Sequence, residues 1–206
     1  MKTKLNLLVL AAFMFAGCEK EEFPLKSNII TAKVEKGKDY QSEFSSVKVL
    51  LYRYSYVGIH YVTTENDSYE AASSSYIDGG FSLTLPETVD YNSLMPLANL
   101  FWYGSGVSVS NSSARGFEIE IKGYDKNGVF VDNFEYKSSK GNVKGRFIYV
   151  DRDVTITNAD GLNMYNLNLK KGWNMYYYRN YGYGYKSGIS SKTDFKEFKW
   201  YRSKDL

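Results

Sequence analysis

Phe117-Glu118-Ile119-Glu120-Ile121-Lys122, then Asp125-Lys126-Asn127-Gly128, then the return from Val129 to Tyr136, is the stretch whose reading decides the fold. Phe117, Ile119 and Ile121 alternate with Glu118, Glu120 and Lys122. A period of two places the apolar side chains on one face of a β-strand. Asp-Lys-Asn-Gly is turn chemistry, because Asn and Gly accept the positive φ that a tight reversal needs. The stretch is therefore a β-hairpin with one apolar face, and that face needs a second layer to cover it.

The same period runs outward in both directions. Toward the N-terminus, Ile30, Ala32 and Val34 alternate with Thr31, Lys33 and Glu35 in a strand ending near Gly37. Val47, Val49 and Leu51 face one way and Leu50, Tyr52, Tyr54 and Tyr56 the other, as expected of a strand covered on both sides. Thr63 to Ser68 is polar and is read as a break in the pattern. Asp78-Gly79-Gly80 is a turn leading into Phe81, Leu83 and Leu85, and Pro86 ends that strand. Residues 87–115 lack alternation; Leu94 to Tyr103 reads as a short helix or a loop folded over the end of the core, limited by Pro96.

Toward the C-terminus, strands are expected over Arg146–Val150, Val154–Ile156, around Leu167 and Leu169, and over Trp173–Tyr181 and Phe195–Tyr201. Turns are expected at Gly141–Gly145, Asn158–Gly161 and Lys170–Gly172. About ten short strands with turns between them, and no long helix, are the signature of an all-β antiparallel sandwich, Ig-like in its strand spacing, or of a barrel, and one continuous β-sandwich is expected. Aromatics make up 17% of residues, including 20 Tyr, a composition that favours strands.

The chain begins Met1-Lys2-Thr3-Lys4, followed by an apolar run from Leu5 to Phe15 and then Ala16-Gly17-Cys18. That run is well short of the roughly 20 residues of a membrane-spanning helix and reads as the core of a secretory signal. Phe15-Ala16-Gly17-Cys18 resembles a bacterial lipobox, which implies removal of residues 1–17 and lipidation of Cys18. Residues 18–27 then form a tether and 28–206 a single β-sandwich domain. Glu19-Lys20-Glu21-Glu22 resembles the acidic export signals of surface lipoproteins in some Gram-negative bacteria, which implies the outer face of the outer membrane. Loss of Lys2 and Lys4 with the signal removes most of the formal charge of +3, leaving no basic stripe for nucleic acid. The lone cysteine, once lipidated, makes no internal disulfide, so the domain must rely on its core. A chain of this size can do so by burying roughly 70% of its unfolded surface.

The first half resembles the prealbumin-like, carboxypeptidase-regulatory-like β-sandwiches of bacterial surface proteins. The resemblance rests on Ile30-Thr31-Ala32-Lys33-Val34, Ser46-Val47-Lys48-Val49-Leu50 and Asp78-Gly79-Gly80-Phe81-Ser82-Leu83-Thr84-Leu85-Pro86. The second half, with Tyr149 to Ile156 and Leu169 to Asn174, resembles lipoproteins carrying the same signal type. The resemblance implies a fold and a location and lends no catalytic residues.

Several chemistries find little support in the residues. His60 is the sole histidine and has no glycine-flanked serine elbow to work with, and a zinc site would have to be built from carboxylates. Asp125-Lys126-Asn127-Gly128 lacks the distal glutamate of a calcium loop. Gly104-Ser105-Gly106 lacks the lysine of a phosphate loop. No cofactor or metal is expected. Glu118/Glu120 and Asp151/Asp153 are the closest carboxylate pairs; the first reads as a solvated outer face and the second as a turn or local ion pair. Aromatic density stands out more. Trp173, Tyr176, Tyr177, Tyr178, Tyr181, Tyr183 and Tyr185 crowd one strand and the glycine-rich turn after it. Tyr176 and Tyr178 face opposite to Trp173 and Tyr177, so both sets can be core only if the strand is covered twice. Trp102, Tyr183 and Tyr185 are the candidate ligand-binding residues, since such rings give rigid contact area with a polar tip. The expected function is a non-enzymatic, lipid-anchored surface module binding a protein or a glycan. The alternative is a carbohydrate-active hydrolase using paired carboxylates.

Overall fold

The computed structural model describes residues 28–57, 60–101, 106–139, 142–158, 163–181 and 187–205, without the side chains of 52–57, 60–67 and 163. The signal, Cys18, the tether, Trp102, Tyr183 and Tyr185 lie outside the described residues. The fold is all-β. Its strands are β1 (Ile29–Lys33), β2 (Ser46–Val57), β3 (His60–Ser75), β4 (Gly80–Thr84), β5 (Met95–Pro96), β6 (Ser108–Val109), β7 (Arg115–Ile119) and β8 (Ile121–Tyr124). They continue as β9 (Phe130–Ser138), β10 (Val143–Val150), β11 (Val154–Thr157), β12 (Asn163–Leu169), β13 (Gly172–Asn180), β14 (Ser187–Ser190) and β15 (Phe198–Arg202). One short helix, α1 (Leu97–Leu100), follows Pro96 in the irregular region.

The deciding hairpin forms as its residues require. Asp125 Oδ1 accepts the backbone N–H groups of Asn127 at 2.8 Å and Val129 at 2.9 Å, and Gly128 takes φ 77°. Phe117, Ile119 and Ile121 are all buried. The strand changes partner at Glu120, however. Ile121 lies opposite Phe134 of β9, whereas Ile119 lies opposite Phe147 of β10. The sheet forks there. One branch runs β3-β2-β8-β9 with β15 beside β9; the other runs from β10 through β13, β14, β12 and β11 to β6. A separate antiparallel pair, β1-β4, completes the layers.

Two cores result. The first joins β1 and β4 to the β2-β8-β9 branch through Ile30, Phe81 and Leu83 with Val47, Val49, Leu51, Phe134 and Trp200. The second gathers Leu97, Phe101, Val154, Ile156, Leu167 and Ile189. Strands β10 and β13 are the wall between them. Phe147, Tyr149, Trp173 and Met175 face the first core, while Ile148, Val150 and Tyr176 face the second. This resolves the tyrosine crowding: the strand is covered twice, so Trp173 and Tyr176 are both buried. Burying a side chain such as Leu83 or Leu167 stabilises the fold by roughly 1.5–3 kcal/mol.

Two details depart from the expected pattern. Strands β12 and β14 pair in parallel inside an otherwise antiparallel network, because β14 reverses from β13 and inserts beside β12. The polar stretch Thr63–Ser68 is part of β3 and does not interrupt it. The β2-β3 hairpin absorbs the irregularity in register shifts at Val49/Leu50 and Tyr52/Tyr54. Strand β3 ends the sheet, and an edge strand is held by backbone pairing without needing a continuous apolar face.

An ionic cluster, buried at Arg202 and Asp132 and open to solvent at Glu43, fixes the C-terminal strand. Arg202 is 8% exposed. It donates to both carboxylate oxygens of Glu43, at 2.9 and 2.6 Å, and to Asp132 at 3.2 Å. Its guanidinium also lies over the rings of Tyr40 and Phe44.

Candidate functional site

Strand β13 leaves the shared wall at its C-terminal end, and there its side chains reach the surface. Tyr177 is half-buried, Arg179 and Tyr181 are exposed, and β14 runs alongside. The segment after β14 turns back over this end because its backbone is held locally. Ser191 N–H donates to the Asn166 carbonyl at 3.0 Å, Lys192 N–H to Ser190 Oγ at 3.1 Å, and Phe195 N–H to Thr193 Oγ1 at 3.1 Å. A groove of about 340 Å³ forms between the segment and the two strands, within the size range of ligand sites. Tyr177, Tyr181 and Phe195 supply its aromatic surface, and Asn166, Ser190 and Thr193 its hydrogen-bonding groups.

Arg179 occupies the middle of this arrangement. Its guanidinium carbon lies 4.5 Å from the ring centre of Tyr181 and 4.9 Å from that of Phe195. Such cation–π contacts restrain the guanidinium, whose N–H donors form a planar fork. The Tyr181 ring also packs against Gly188, where a Cβ would sit 3.0 Å from the Tyr181 hydroxyl oxygen. Among the described residues no carboxylate ion-pairs with Arg179, although Asp194 lines the same groove together with Lys192.

A smaller cleft of about 110 Å³ sits at the fork, lined by Glu120, Glu135, Lys144, Arg146 and Trp200 among others. Its charges are largely spent on each other. Lys144 lies 2.6 Å from Glu135 and Lys122 lies 3.3 Å from Glu120. Glu118 corrects the expectation of a solvated carboxylate: its side chain is 27% exposed, accepts a hydrogen bond from Arg146 at 2.8 Å, and accepts another from the Tyr176 hydroxyl. It faces the second core because its neighbour across the register is Ile148. Burial first, and the Glu118 charge second, push Tyr176 well above the ordinary tyrosine value. Glu118 and Glu120 thus point into different ion pairs and do not converge on one space.

Asp151 and Asp153 are likewise engaged separately. Asp151 accepts from the Arg115 N–H at 2.9 Å and pairs with Arg152 at 2.8 Å. Burial raises its pKa, yet the bonds from Arg152 and Arg115 outweigh that and hold it below the ordinary value. Asp153 accepts from the Lys171 N–H at 2.9 Å and from the Lys170 ammonium at 3.0 Å. The Asp125 carboxylate is held down by the Val129 N–H first of all, as a turn residue is. Among the described residues no three His, Cys, Asp or Glu side chains come together as a metal site, and the side chain of His60 lies outside them.

Of the ligand-binding candidates, Tyr183 and Tyr185 fall in the segment between Tyr181 and Ser187, and Trp102 follows the buried Phe101; all three are outside the described residues. Tyr181, from the same aromatic run, does line the groove. Sequence reading missed Arg179, Lys192 and Phe195. The one local signal was a cation two residues before Tyr181 on a tyrosine-rich strand; Phe195 is fourteen residues further on and is brought over by the turn. Compared with known proteins, the chain matches no family model, no curated protein and no solved structure.

Proposed function

We propose that this chain is a non-enzymatic glycan-binding module of the bacterial envelope, held at the outer membrane by lipid on Cys18 and facing the cell exterior. The observation that carries the binding reading is the groove beside β13 and β14, where Tyr177, Tyr181 and Phe195 meet Asn166, Ser190 and Thr193. Sugars present apolar ring faces and a rim of hydroxyls, and this mixture of aromatic surface and amide or hydroxyl groups matches both. Tyr183 and Tyr185 remain candidates in this reading from their residue type alone, since they lie outside the described residues. The Phe15-Ala16-Gly17-Cys18 motif and the Glu19–Glu22 cluster support the location, and the short strands with the Asp78-Gly79-Gly80 turn support a prealbumin-like module. Two or more acyl chains, at about 0.8 kcal/mol per buried CH₂, suffice as an anchor.

The reading is tested on a glycan array with the full chain, Tyr181→Ala and Phe195→Ala. Retention of the parent on a defined set of glycans, lost in both variants, is the expected result. An array that captures nothing, or variants retained as well as the parent, overturns it; release of reducing ends from a bound glycan would overturn the non-enzymatic part. Labelling with a fatty-acid precursor tests the anchor, since a Cys18→Ser chain that still incorporates label refutes it.

A further inference from the structure

We infer that the groove selects an acidic sugar, and that Arg179 reads the sugar's carboxylate. The inference rests on the glycan-binding reading and adds the ligand's charge. It starts from a guanidinium that lies over the rings of Tyr181 and Phe195 with no carboxylate partner among the described residues. An unpaired arginine on an ordinary surface is a flexible, solvated side chain. This one lies over two aromatic rings, which restrains it before a ligand arrives and lowers the entropy cost of placing it. Neither ring can accept from its N–H donors as a carboxylate does, and the fork geometry of those donors matches a carboxylate bidentately.

The groove's own charges favour the same sign of ligand. Arg179 and Lys192 outnumber Asp194 on its lining, and Asp194 is not drawn into an ion pair with Arg179. Arg179 is exposed, so its pairing with an anion carries little desolvation cost. Tyr181 and Phe195 therefore act as positioning residues, their rings restraining the arginine. Arg179 contacts the acidic substituent, and the hydroxyl and amide groups of the rim contact the rest of the ring.

The test compares oligogalacturonate with the same oligosaccharide fully methyl-esterified, by titration calorimetry, beside an array of matched acidic, sulfated and neutral glycans. The parent is expected to bind the acidic form about two- to fivefold more tightly than the ester, the range for an exposed ion pair. Arg179→Gln should abolish that difference, and Arg179→Lys should retain part of it. Equal binding of acid and ester by the parent, or a preference that survives in Arg179→Gln, overturns the inference while glycan binding stands. Preference for sulfated over carboxylated glycans overturns the carboxylate assignment. An array on which nothing binds overturns the glycan reading and the inference with it. Circular dichroism of each variant separates loss of selectivity from loss of fold.

Discussion

Arg202 shows how much a single residue can carry in this fold. It lies two residues beyond Trp200 of the first core and reaches Glu43, 159 positions away in the chain, and Asp132, 70 positions away. Both Arg202 and Asp132 side chains are 10% exposed, so removing the arginine leaves a buried, uncompensated carboxylate. Arg202→Met is therefore expected to cost about 3–5 kcal/mol in urea denaturation. Arg202→Met combined with Asp132→Asn should recover much of that loss; a double variant as unstable as the single one would show that packing, and not charge, dominates. The pH dependence follows from Glu43, whose pKa is lowered first of all by its hydrogen bonds from Arg202. A depressed folded pKa supplies stability that is present above the ordinary value of 4.5 and is lost as pH falls through the lower folded value. Acid unfolding should therefore soften in Glu43→Gln, and an unchanged acid limb would remove Glu43 from the account. None of this cluster was legible in the sequence, because hydrophobic periodicity reports which face of a strand is buried and is silent on which distant charges meet.

At the scale of the element, alternation was enough. Ile30/Ala32/Val34, Val47/Val49/Leu51, Phe81/Leu83/Leu85 and Phe117/Ile119/Ile121 are all buried, as a period of two demands. The Asp78-Gly79-Gly80 turn was equally legible from residue type, with Asp78 at φ 53° and Gly79 at φ 74°. What the pattern could not carry was tertiary. The fork at Glu120 leaves the alternation of Phe117, Ile119 and Ile121 untouched, so a strand that switches partner reads like one that does not. The close approach of Gly37 and Gly79 is of the same kind: a Cβ on Gly79 would lie 2.6 Å from the Gly37 carbonyl carbon. Gly128 also has φ 77°, yet nothing lies within 4 Å of where its Cβ would be. Gly128→Ala should then cost only the backbone strain, about 1–3 kcal/mol, and Gly79→Ala distinctly more. Thermal melts of the two variants decide it; equal losses would mean that the loop carrying Gly37 moves aside freely. The groove sits between these extremes. Its aromatic strand was visible, but the clamp on Arg179 depends on a turn that brings Phe195 back over β13, and residue types alone do not give that path.

The whole molecule is two cores built on one wall, and this arrangement has a consequence for cooperativity. Strands β10 and β13 bury Phe147, Tyr149, Trp173 and Met175 on one side and Ile148, Val150 and Tyr176 on the other. Neither core can lose its packing without exposing one face of strands the other core needs, so the two are expected to unfold together. The tryptophans make this measurable, because Trp173 and Trp200 both belong to the first core. In a Trp102→Phe background, emission reports that core alone. Leu167→Ala removes a fully buried side chain from the second core, at a cost of about 2–5 kcal/mol. If the wall couples the cores, the fluorescence midpoint in urea should shift by the same amount as the far-ultraviolet dichroism midpoint, with one transition in both. A fluorescence transition that stays where the parent has it, while dichroism shows an earlier step, would mean that the second core melts alone and that β10 and β13 tolerate an open face. The outcome also bears on the groove, which stands where β13 leaves the wall. Coupled cores would hold the Arg179 clamp in place up to global unfolding, whereas an independent second core would let β14 and the turn behind it open first and release the site.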